Sequence, residues 1–163
     1  PVVPFNIAAK HAQGDVFVVT NPEMIHHKPV LHEMLAELKR LGENGYVLAS
    51  AYCREQDKWH CHSTQCSYET PIPNGFGLHF LGMLNKSLWE RAGGFDEDYR
   101  DGAGYDDNDF AWRLFHAGAQ CVIRDDLKVE HPKAGARIKW PAEGFTRNRE
   151  IFARKWPALA SFV

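Results

Sequence analysis

The chain has 163 residues, a formal net charge of −2 and an apolar fraction of 44%, which fits one compact domain over 1–163 with enough length to bury a core. Charge this close to balance argues against a dedicated nucleic-acid binder, whose affinity rests on an excess of Lys and Arg. No apolar run is long enough to span a bilayer and no signal peptide is visible, so the expectation is a cytoplasmic chain.

Residues 6–13 read as a short helix with small residues toward a sheet, ended by Gly14. Val16-Phe17-Val18-Val19 is a continuous apolar run rich in β-branched residues, the pattern of a buried strand. It stops at Asn21-Pro22-Glu23, because proline cannot donate to a ladder. Over residues 29–41, Val30, Leu31, Met34, Leu35, Leu38 and Leu41 recur at helical spacing, and Gly42 closes the segment. Residues 46–52 predict a second strand, and residues 53–78 read as mostly loop. A strand over 79–84 leads into a short helix over 86–91. Residues 110–117 predict a helix with Leu114 and Phe115 on its buried face, Cys121-Val122-Ile123 and Lys128-Val129 two further short strands, and 145–156 a last amphipathic helix. Strands alternating with helices imply an α/β layered fold, with a mixed, mostly parallel sheet flanked by helices.

Cys53, Cys61 and Cys66 lie in one stretch with His60 and His62. A zinc-binding interaction module is conceivable there, but no Cys-x-x-Cys or His-x-x-x-His pair supports it. The alternative is a loop of reduced thiols and surface histidines.

The densest chemistry lies further on. Gly93-Gly94-Phe95-Asp96-Glu97 sets a glycine-hinged turn ahead of Gly104-Tyr105-Asp106-Asp107-Asn108-Asp109, which runs into a helical pattern with Arg113. Asp101, Asp106, Asp107 and Asp109 repel at close range, so a site holding them supplies a cation, a basic partner or a raised pKa. Asp109 and Arg113 stand four apart, the spacing of an ion pair on one helix face. The same carboxylates also suit a solvated cap at a helix N-terminus.

In order, the Asn85-Lys86-Ser87-Leu88-Trp89-Glu90 stretch, the double glycine with Phe-Asp-Glu, the Asp-Asp pair, Asp109, Arg113 and the closing Ala117-Gly118 resemble the C-terminal half of a family 2 glycosyltransferase of the GT-A fold. The resemblance extends from Asn6 to His131 and is most specific over 80–118. It implies a partial GT-A fold and inverting transfer of a sugar from a nucleotide-diphosphate sugar to an acceptor hydroxyl. By the same resemblance Asp107 is the general base and Asp106 orients the acceptor. Asn21, Glu23 and His131 hold Mn²⁺ or Mg²⁺, with Asn21 standing where the family carries an acidic residue. The basic stretch over 132–150 would form a mobile lid, with Arg137, Lys139 and Trp140 toward the donor. Asn21-Pro22-Glu23 also reads as a helix start, with Asn as cap and Pro at the first position.

The resemblance further implies a nucleotide-binding half ahead of Pro1. The expected partners are therefore that missing N-terminal half or a second copy forming a homodimer, since a truncated sheet exposes an edge. A degenerate, non-catalytic carbohydrate- or protein-binding domain is the alternative to an enzyme. Trp59 is the favoured sugar-stacking ring, while Trp112 is expected to pack.

Overall fold

The computed structural model describes residues 2–65, 80–132 and 141–162. In chain order these form α1 (Val2–His11), β1 (Val16–Thr20), α2 (Leu31–Leu41), β2 (Gly45–Cys53), β3 (Lys58–Cys61), β4 (Leu81–Asn85), α3 (Lys86–Ala92), α4 (Asp106–His116), β5 (Gln120–Glu130) and α5 (Ala142–Lys155).

The sheet is built around β2. β5 runs parallel to it from Gly45–Gln120 to Tyr52–Glu130. On the other side β4 pairs antiparallel with residues 46–48 and β3 with residues 51–53. β1 closes the order, antiparallel to β4. The sheet is therefore mixed, as expected, but among the described residues only the β2–β5 pairing is parallel. β1, β2 and β5 nevertheless share one direction, so their carboxyl ends lie at a common edge.

β2 is apolar and small along most of its length because both of its faces are covered: Val47, Leu48, Ala49, Ser50 and Ala51 have no exposed surface. α2 covers one face with Met34 and Leu38, spaced one helical turn apart. Over the other face lies an aromatic cluster. Trp89 meets Phe17 and Phe110 at 5.8 and 5.0 Å, and Phe95 stacks on Phe110 at 4.4 Å. Burial of each ring contributes about 1.5–3 kcal/mol.

The double glycine places Phe95 in that cluster. Gly93 caps α3 in the left-handed region at φ 80°, and Gly94 follows at φ 65°, conformations that cost glycine little. A Cβ on Gly94 would also stand 2.8 Å from Asn6 Oδ1. Asn6 needs that approach: its Nδ2 donates to Phe95 O at 2.8 Å and its Oδ1 accepts from Phe95 N at 2.9 Å. One amide thereby fastens α1 to the turn.

Asp109 is fully buried in α4 and accepts from Arg113 Nε at 2.8 Å and Trp156 Nε1 at 2.8 Å, with Lys155 Nζ at 2.7 Å. The expected Asp109–Arg113 pair is thus one part of a junction that also fixes the end of α5. Asn148, equally buried, donates from Nδ2 to Tyr99 O and Gly104 O at 3.2 and 2.9 Å. The chain at Gly102 presses so close that a Cβ there would lie 2.2 Å from Asn148 Oδ1. α4, α5 and the loop over 99–104 form one locked unit.

Several sequence expectations change. β3 lies inside the stretch read as loop, and Trp59 sits on it, packed against Tyr52, His62 and the Lys128 ammonium. The two short strands expected over 121–129 are one strand, β5, interrupted where residues 125–127 bulge between the Arg124–Ala49 and Lys128–Ser50 pairs. α2 begins at Leu31, so Asn21-Pro22-Glu23 does not cap it. Cys53 and Cys61 are buried free thiols on β2 and β3 rather than loop residues. Trp112 packs as expected, against Phe115, His116 and Trp156. Residues 142–150 belong to α5, while 133–140, the rest of the expected lid, lie outside the described residues. No helix of the described residues is long and apolar enough to cross a membrane.

Replacing Asp109 with Ala removes the acceptor shared by Arg113, Lys155 and Trp156. The expected loss is about 3–5 kcal/mol, the cost of breaking a buried ion pair, read from the urea midpoint. A loss below about 1 kcal/mol, the range of an exposed pair, would show that the junction does not hold the helices.

Candidate functional site

The site is assembled at the edge where β1, β2 and β5 end. Just past β1, Asn21 N donates to Phe80 O at 3.1 Å, tying the strand end to the start of β4. Just past β5, His131 N donates to Tyr52 O at 2.9 Å. Between them the chain doubles back, and Ile25 exchanges both backbone hydrogen bonds with Glu130 at 2.9 and 3.0 Å. This crossing segment, residues 21–28, carries Glu23 to His131, where Oε1 and Nε2 stand 3.1 Å apart. The two residues are 108 positions apart in sequence, and the fold brings them into contact.

The His131 ring is wedged against His60 at 4.9 Å and Phe80 at 5.1 Å. Its Nδ1 is buried with no hydrogen-bond partner among the described residues. An imidazole nitrogen facing a carboxylate oxygen is a donor set that a divalent cation such as Mn²⁺ accepts. The second ring nitrogen of a ligating histidine usually donates to a neighbour, and none of the described residues serves Nδ1. Among the described residues no group of three or more His, Cys, Asp and Glu side chains is arranged to hold a metal ion. Glu23 and His131 are therefore a pair, with Asn21 two residues before Glu23 on the same crossing segment. Among the described residues Cys53, Cys61, His60 and His62 form no such group, and Cys66 lies outside them.

The acidic cluster divides by environment. Asp101 is exposed beside Arg100 and Arg147. Asp109 is consumed by the junction described above. Asp106 and Asp107 open α4 directly after Tyr105, a non-glycine residue held in the left-handed region at φ 66°. Such backbone costs on the order of 1–3 kcal/mol and persists only where its surroundings hold it. Here the ring of Tyr105 packs on Phe152, and Tyr105 O accepts from Asp109 N at 2.9 Å. Asp107 is half-buried at the head of α4, and loss of water around its carboxyl pushes it up to about 6. The Tyr46 phenol is also raised, first by its own burial, then by the Cys121 and Cys61 thiols and by Asp107.

Of the residues expected from sequence, the structure joins Glu23 to His131, leaves Asn21 two residues before Glu23 with its backbone bonded to Phe80, and puts Asp106 and Asp107 at the head of α4. Arg137, Lys139 and Trp140 lie outside the described residues. Sequence reasoning placed His60 only in the cysteine–histidine stretch and missed that it and Phe80 bracket His131; it also missed Glu130, whose buried carboxylate meets His27 Nε2 at 2.6 Å and Arg54 at 3.0 Å. A contact spanning 103 residues leaves no local signal.

A family model described as the N-terminal domain of galactosyltransferase matches residues 57–137, just under half of the chain. No curated protein matches the sequence. Among solved structures, the fold is similar to that of the mannosyltransferase PcManGT from Pyrobaculum calidifontis in complex with GDP-Man and Mn²⁺, with a TM-score of 0.62 over 94% of this chain at 20% identity. This chain spans 44% of the length of that one. The fold is a mixed α/β arrangement of the nucleotide-sugar transferase type, and the two likenesses support a glycosyltransferase of the GT-A fold.

A carboxyl raised in the folded protein favours folding while protonated. Its contribution is complete below the ordinary carboxylate range and is lost as pH rises through about 6. Asp107→Asn, neutral throughout, is therefore expected to unfold at higher urea than the wild type at pH 7 and at similar urea at pH 4. Equal midpoints at pH 7 would show that burial does not strain the ionised form.

Proposed function

We propose that this chain is the acceptor-side part of an inverting glycosyltransferase, moving a sugar from a nucleoside-diphosphate sugar to a hydroxyl. The observation that carries this reading is the meeting of Glu23 and His131 at the carboxyl edge of the sheet, where ligands of open α/β sheets bind. The galactosyltransferase-domain match and the likeness to a mannosyltransferase solved with GDP-Man and Mn²⁺ support it.

In this reading Glu23 and His131 hold the divalent cation, with Asn21 as a neutral oxygen donor. The cation's role when bound is to neutralise charge gathering on the departing diphosphate. Asp107 acts on the acceptor. With its carboxyl at about 6 it is mostly ionised near pH 7, yet basic enough to take a proton from a hydroxyl as that oxygen attacks. Attack on the face opposite the departing diphosphate inverts the anomeric carbon. Asp106 orients the acceptor, and the Asp109 junction keeps both carboxylates in place. Arg137, Lys139 and Trp140 belong to this reading as donor contacts. The family 2 resemblance supplies the inverting stereochemistry.

The test is calorimetric titration with GDP and UDP, with and without Mn²⁺, followed by turnover with the corresponding sugar nucleotides. Binding of one nucleotide that requires Mn²⁺ and is lost in Glu23→Ala and His131→Ala is expected. Asp107→Asn should lower turnover by about 10²–10⁴-fold while nucleotide affinity holds. Wild-type nucleotide affinity in Glu23→Ala and His131→Ala, or unchanged turnover in Asp107→Asn, would remove the proposal.

A further inference from the structure

The segment over 21–28 that carries Glu23 has no helix or sheet of its own, and the structure shows what holds it. Its backbone is fastened at Asn21–Phe80 and at Ile25–Glu130. Its far end is fastened by side chains: His27 Nε2 meets Glu130 Oε2 at 2.6 Å, and Lys28 Nζ donates to Asp126 O at 2.9 Å. Glu130 is only 8% exposed, and Arg54, from the turn between β2 and β3, reaches the same Oε2 at 3.0 Å. One buried carboxylate thus ties together three segments: the crossing strap, the end of β5 and the β2–β3 turn.

The arrangement is reciprocal. Glu23 on the strap reaches the histidine at the end of β5, and the glutamate beside that histidine reaches His27 on the strap. Ile25, lying between the two, carries the paired backbone bonds. Loosening either side chain of the second pair would free the strap on one side of Ile25 and let Glu23 drift from His131. A buried carboxylate deprived of its hydrogen-bond partners is costly, so the pair resists that opening. Partners that orient metal ligands in this way typically cost 10–100-fold in metal affinity when removed.

We infer that His27 and Glu130, assisted by Arg54, are positioning residues that hold the strap so that Glu23 and His131 face one another. The inference rests on the metal reading of those two residues and adds the device that assembles them. Neither His27 nor Glu130 touches substrate in this role.

Two measurements on His27→Ala and Glu130→Gln separate this inference from the reading beneath it. In metal-free protein, exchange of the Ile25 amide reports the strap itself, with Leu48 and Met83 of the central strands as internal controls. Ile25 is expected to exchange faster in both variants while the control amides keep their protection. Mn²⁺ affinity in the presence of GDP, followed by electron paramagnetic resonance, is expected to fall 10–100-fold, with Arg54→Lys closer to wild type than Arg54→Ala. Unchanged Ile25 exchange overturns the strap. Faster exchange with unchanged Mn²⁺ affinity overturns the positioning role. Faster exchange in a chain whose wild type takes up no Mn²⁺ with GDP or UDP overturns the metal reading, and the positioning role with it, while the strap stands.

Discussion

A carboxylate with no exposed surface can persist only if donors replace the water it has lost, and the architecture around α4 follows from how Asp109 meets that requirement. Its donors come from three places: its own helix through Arg113, the end of α5 through Lys155, and the residue after α5 through Trp156. Such a set fixes the rotation of α4 about its axis as well as its position. Asp107, two residues earlier, is thereby directed by that buried junction. Asn148 extends the same logic along α5, satisfying carbonyls of the loop that delivers the chain to Tyr105. The strained conformation of Tyr105 is tolerated because both flanks are held.

The second half of the site is organised by strand direction. β1, β2 and β5 run the same way although β4 separates β1 from β2. Three chain ends therefore emerge at one edge, and short connections suffice to make them meet. Thr20 Oγ1 bonding to Phe80 O, with the Asn21 amide on the same carbonyl, shows how closely the start of β4 is drawn into that edge. Residues distant in sequence become neighbours there without any long excursion of the chain. The aromatic ring of Phe80 then serves as one wall for His131.

Features written in local geometry were legible in the sequence. The double glycine announced a hinged turn, and both glycines there adopt left-handed backbone. The spacing of Asp109 and Arg113 announced an ion pair on one turn. Met34 and Leu38 announced the buried face of α2. Features decided by tertiary partners were not. Lys58-Trp59-His60-Cys61 reads as loop because its charge and histidines mask a strand that is stable only against β2. Asp125 and Asp126 split β5 into apparent halves, since a polar pair inside a strand makes sense only once Asp125 is seen bonded to Ser63. For the site, Asp106, Asp107, Glu23 and His131 were named through a family likeness, and no spacing rule alone brings Glu23 to His131. His27 and Glu130 lay beyond both routes, because neither the likeness nor any periodicity marks them.

The bulge in β5 governs the reach of the strand. Residues 125–127 are surplus to the pairing with β2, and after them the ladder resumes at Lys128–Ser50. The number of surplus residues is a phase setting: it decides that Glu130 meets His27 and that His131 meets Glu23, one residue further on. Gaining or losing one residue there would reverse that assignment for everything downstream, because alternate residues of a strand face opposite ways. Length in this irregular stretch is therefore less free than in an ordinary surface turn. Its tolerance for change lies in side-chain identity rather than in count.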